Sequence, residues 1–109
     1  MLPRNIALEL GLTGDPISAE RAYHFGLVNE LCEPGQALDT ALALAERVAA
    51  NAPIAVRETL RLMLELPGVD DETAFRESGR AMMGLADTED FWEGPKAFLE
   101  KRDPVWKGR

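Results

Sequence analysis

The 109-residue chain has one cysteine, one histidine, one tyrosine and two tryptophans, and only 6% of its residues are aromatic. A single thiol, Cys32, cannot close an intrachain disulfide, and small secreted domains ordinarily rely on several, so a reducing, cytoplasmic setting is expected. No stretch approaches the roughly 20 apolar residues that span a bilayer. The opening Met1-Leu2-Pro3-Arg4 has no apolar segment behind a basic start, so neither a membrane contact nor a signal peptide is expected. His24 and Cys32 have no companions at ligand spacing, which argues against a metal site. Neither the GxGxxG nor the GxxxxGK phosphate loop occurs. No Ser or Cys is spaced as a nucleophile; His24 reads as a structural or surface residue and Cys32 as a buried, inert thiol.

What is present suits one small globular domain, with 46% apolar and 28% charged residues. A chain this short buries only about 60–65% of the surface its unfolded form exposes, so a partner that covers the rest would add much of the stability. The net charge of −7 argues against nucleic acid as a partner, because phosphate neutralisation needs a concentrated basic surface. That charge is unevenly spread. Residues 94–109 hold five basic residues (Lys96, Lys101, Arg102, Lys107, Arg109) against two acidic ones, a surplus of three, whereas the first 93 residues carry seven basic and seventeen acidic, a balance of −10. An anion would be received at the C-terminal end.

Apolar spacing predicts six helical segments. Residues 5–12 form the first, stopped by Thr13-Gly14-Asp15-Pro16; Ser18 caps a second over 19–25 despite Arg21 where a capping box has Glu or Gln, and Gly26 ends it. Residues 27–31, bounded by Gly26 and Pro34-Gly35, read as the one short strand, which would need a sheet outside this chain. Leu38, Ala41, Leu42, Ala45, Val48 and Ala49 lie on one face of a helix over 36–51. Pro53 opens the next, whose seven large apolar residues predict cover on more than one side. Asp70 or Asp71 caps a helix running to about Ala86, in which Gly79 and Gly84 predict close helix contact. Asp87 or Thr88 caps the last, which Pro95 should kink or divide near Gly94. The acidic residues at 70–72 and 87–90 are accounted for by capping and by the helix dipole.

The order of short motifs along the chain resembles the second half of the enoyl-CoA hydratase/isomerase (crotonase) superfamily: Leu2-Pro3-Arg4, Ala7-Leu8-Glu9, Leu12-Thr13-Gly14, Ile17-Ser18-Ala19-Glu20, Gly26-Leu27-Val28-Asn29, Ala49-Ala50-Asn51-Ala52-Pro53, then Asp90-Phe91, Glu93-Gly94, Ala97-Phe98-Leu99-Glu100-Lys101-Arg102, Pro104 and Trp106. The resemblance implies a mostly α chain, the helical C-terminal region of a crotonase-like α/β fold built from a spiral of ββα units. Residues 1–35 would end the family's core, with helices and one short strand, and residues 36–109 would form its helical oligomerisation region. It implies an acyl-CoA substrate, no covalently bound cofactor, and self-association as trimer or hexamer or pairing with an N-terminal half of the same protein. The parent reaction implied is hydration of a 2-enoyl-CoA to a 3-hydroxyacyl-CoA, with isomerase, hydrolase and decarboxylase relatives sharing the same patterns. The family's oxyanion-hole amides and acidic catalytic groups belong to stretches N-terminal to those matched here, so no catalytic residue is assigned. By the same resemblance Phe98 and Lys101 take the positions of a Phe and a Lys near the adenine and phosphate end of coenzyme A. The reading from another class is a non-catalytic helical interaction module.

Overall fold

The computed structural model describes residues 2–109 and contains six α-helices: α1 (Arg4–Thr13), α2 (Ala19–His24), α3 (Ala37–Ala49), α4 (Pro53–Glu65), α5 (Asp71–Ala86) and α6 (Glu89–Glu100). The chain divides into two units, one up to Ala43 and one spanning Leu44–Arg109.

In the first unit, α1 begins where the Pro3 carbonyl accepts the Ile6 and Ala7 amides, both at 3.0 Å, and ends at Gly14, whose φ of 70° a side chain would resist. The Ser18 hydroxyl caps α2 by accepting the Arg21 amide at 3.2 Å. Arg21, the departure from a capping box, donates both terminal nitrogens to the Glu9 carboxylate at 2.8 Å each and lies 5.7 Å over the Phe25 ring. It ties α2 to α1 across eleven intervening residues. The paired guanidinium holds the Glu9 carboxyl below its ordinary range. Ile6 on α1 and Ala22 on α2 are buried.

Residues 27–31 form turns and irregular chain rather than the expected strand. A strand needs a neighbour to take its amides and carbonyls, and no strand exists among the described residues. Leu27, Val28 and Leu31 are accordingly exposed. Cys32 follows them and is exposed, not buried, because nothing in this unit folds over the segment.

In the second unit, α4 packs on α5 and α5 on α6. Pro53 stands at the start of α4, where a missing amide costs nothing. Ile54, Val56 and Leu62 are half-buried, while Leu60, Met63 and Leu64 on the same helix are exposed, so within this chain the wide apolar face of α4 is covered on one side. Asp70 caps α5 by accepting the Thr73 amide at 2.9 Å, which lowers its carboxyl pKa, and Thr88 caps α6 by accepting the Phe91 amide at 3.2 Å. The expected close contacts at Gly79 and Gly84 are absent: a Cβ at either would meet nothing within 4 Å, and Gly84 borders a cavity of about 320 Å³ between α4 and α5.

Of the kink or division expected at Pro95, division does not occur: α6 runs through it as one helix. Part of the reason is Gly94. The α conformation is disfavoured before proline largely because the proline ring meets the preceding Cβ, and Gly94 has none. The helix is also braced along its length by the nine residues that follow it.

Only Ile6, Ala22 and Ala97 among the described apolar residues are fully buried.

Candidate functional site

The nine C-terminal residues have no regular structure, yet most of them are held against α6. Helical spacing sets Glu89 and Glu93 one turn apart, with Asp90 beside Glu89. Glu93 accepts the Val105 amide at 2.8 Å and the Arg102 guanidinium, with Nη2 at 3.0 Å. Asp90 accepts the Lys107 amide on Oδ1 at 2.7 Å and the Gly108 amide on Oδ2 at 2.8 Å. Glu89 receives Lys107 Nζ at 2.6 Å and Arg109 Nε at 3.0 Å, and its own amide donates to the Arg109 carbonyl at 2.8 Å. We call residues 102–109 the strap.

The strap is anchored on its other side as well. The Trp106 indole donates to the Ala50 carbonyl at 2.7 Å, its ring lies against Gly94, and Gly108 sits beside Pro53. Asp90, 3% exposed, is the buried charged residue among those described, and backbone amides rather than a cation satisfy it. The Arg102 contact, followed by the Val105 amide, lowers the Glu93 pKa from 4.5 to about 2. Glu93 and then Glu100 raise that of Arg102 in turn.

The basic surplus of residues 94–109 is therefore largely internal. Arg102, Lys107 and Arg109 are paired with Glu93, Glu100 and Glu89. Among the described residues, Lys96 and Lys101 form no close ion pair. The acidic residues that begin α6, expected only to serve capping and the dipole, are the strap's acceptors, while Thr88 alone caps.

Lys101 closes α6. It is the one non-glycine residue described with positive φ (φ 53°, ψ 43°), and it precedes an Arg102 amide that donates back to the Ala97 carbonyl at 3.1 Å. Phe98, one turn earlier, is 83% exposed. The structure thus places both predicted site residues at the same exposed end of α6, three positions apart. His24, which meets Phe25 edge-on at 5.0 Å, and Cys32 are both exposed in the first unit. No group of His, Cys, Asp or Glu among the described residues is arranged to hold a metal ion. No described helix is long and apolar enough to cross a membrane.

This backbone is shared with solved structures. An enoyl-CoA hydratase from Mycobacterium tuberculosis superimposes with a TM-score of 0.94 at 47% identity, covering 99% of this chain and 43% of that one. An enoyl-CoA hydratase from Bacillus anthracis gives a TM-score of 0.90 at 38% identity, covering 95% and 40%. A carnitinyl-CoA dehydratase from Salmonella paratyphi A is 39% identical over 114 residues, which is 100% of this chain and 43% of the relative. The chain thus spans well under half the length of the relatives it matches. The match to the family model for enoyl-CoA hydratase/isomerase extends over residues 1–109, and the chain belongs to that family.

Proposed function

We propose that this chain supplies subunit contacts and part of a coenzyme A site to an enoyl-CoA hydratase-like enzyme that adds water to a 2-enoyl-CoA in the manner of fatty-acid oxidation. The family match over the whole chain carries the reading. Its similar proteins are named for adding water to, or removing it from, CoA-linked substrates. The oxyanion amides and catalytic acids are supplied by chain outside residues 1–109, and residues 1–35 and 36–109 act as the end of a crotonase-like core and as an oligomerisation region. Exposed apolar side chains on α4 and α5, with Met63 and Leu64 above 70% and Phe75 at 84%, support contact with a further protein surface, either copies of this chain or an N-terminal half.

Phe98 and Lys101 are the proposed coenzyme A contacts, the ring as a stacking surface for adenine and the ammonium as a partner for phosphate. Their exposure and their separation by three residues at the end of α6 support this role. Calorimetric titration of the chain with coenzyme A, repeated on Phe98→Ala and Lys101→Ala, tests the site. Each substitution is expected to weaken binding several-fold, and the Lys101 effect should shrink as salt rises. Equal affinity in both variants removes these residues from the site. Hydration of crotonyl-CoA by the chain alone, at a rate near that of a complete hydratase, would contradict the assignment of catalysis to other residues.

A further inference from the structure

A left-handed backbone at a residue bearing a side chain is unfavourable, and helices that end this way ordinarily place glycine there, as α1 does at Gly14. Lys101 holds that conformation without being glycine. Such a residue persists where its surroundings over-determine it, and these outliers gather at functional positions. Around Lys101 the surroundings are explicit. The chain before it is α6, and the chain after it returns along the same helix, fixed by the amides of Val105, Lys107 and Gly108 to the carboxylates of Glu93 and Asp90. Asp90 is also a buried charge with no cation bonded to it, an arrangement that is costly unless its acceptors are filled as they are here. Helix capping explains neither carboxylate, because Thr88 performs it.

We propose that Asp90 and Glu93 are positioning residues for Lys101: by docking the strap on α6 they hold the left-handed turn and so present the Lys101 ammonium beside the Phe98 ring. This rests on the reading of that end of α6 as a coenzyme A contact. The strap is a brace for the ligand-facing turn, and its own cations, paired with Glu89 and Glu93, do not take part in binding the anion.

The test is a double-mutant cycle on coenzyme A affinity in the chain, with Asp90→Asn, Lys101→Ala and the combined variant, alongside hydrogen exchange at the Lys107 and Gly108 amides. Asparagine offers one acceptor oxygen in place of two, so those amides should exchange at least tenfold faster. Affinity should fall at least fivefold in Asp90→Asn, with loss of most of its salt dependence. The combined variant should bind no more weakly than Lys101→Ala alone, a result that a merely structural role for Asp90 would not produce. Additive losses, or faster exchange with unchanged affinity, would overturn the proposal. If Asp90→Asn fails to fold, Val105→Pro removes one strap donor without touching α6 and is expected to give the same pattern in weaker form. If Lys101→Ala itself leaves affinity unchanged, it is the coenzyme A reading that fails, whatever the strap does.

Discussion

Residues 27–36 and residues 101–109 are both irregular stretches of similar length, yet they are held very differently. In the first, the Leu27 amide reaches the Ala22 carbonyl and the Gln36 amide the Glu33 carbonyl, while Leu27, Val28 and Leu31 face outward. In the second, three amides are taken by carboxylates of one helix, and a tryptophan anchors the far side. Both segments have amides to satisfy, and the difference lies in where the acceptors are. The strap carries its acceptors in its own chain, one helix away. Residues 27–31 have the bounds of a strand but no described strand to pair with, and their apolar side chains are exposed.

Removing Asp90 should separate the two segments most sharply. Asp90→Ala leaves two strap amides without acceptors and is expected to cost about 3 kcal/mol, read by chemical denaturation. Strap amides should then exchange as fast as those of residues 27–36. A loss below about 1 kcal/mol would mean that the strap is held by Trp106 and not by α6.

Acid should reach the strap next. The folded pKa of Glu93 lies below its ordinary 4.5, at about 2, so its contribution is fully present above pH 4.5 and is lost as the pH falls toward 2. Trp106 fluorescence, in a Trp92→Phe background, is expected to shift within that window. A shift complete above pH 5 would assign the release to another group.

The turn itself gives a smaller effect of opposite sign. Lys101→Gly relieves the left-handed strain and should stabilise the chain by about 1 kcal/mol while weakening coenzyme A binding. A variant that is both less stable and equally tight would contradict the strained-turn account. Smallest of all, Val28→Ser should change the stability of the chain by less than about 0.5 kcal/mol, because Val28 is exposed and outside any ladder. A larger loss would show that residues 27–36 are covered within this chain.

Much of this fold was legible in the sequence because helix signals are local. Ser18, Asp70 and Thr88 each sit one residue before the first helical position, Pro53 begins α4, and Gly26 follows α2 with a φ of 71°. Phe98 and Lys101 were marked by the motif that contains them. What escaped was non-local. The strand reading of residues 27–31 rested on a short, partly β-branched run bounded by Gly26 and Pro34-Gly35, which marks a segment and not the partner that must meet it. Gly79 and Gly84 implied a close approach that none of the described residues makes. The bonds from Asp90 to Lys107 and Gly108 join residues 17 and 18 positions apart, and only a chain returning along its own helix brings them together. The spacing of Glu89, Asp90 and Glu93, two of them one turn apart, was the available signal.

The central claim is that the end of α6, held by the strap, meets coenzyme A. Titrating the isotopically labelled chain with coenzyme A and following its amide resonances measures this directly, even at weak affinity. The account predicts saturable shifts concentrated at Phe98 through Arg102, abolished by Lys101→Ala, with residues 27–36 unmoved. Shifts confined to other segments, or none at millimolar coenzyme A, would contradict it.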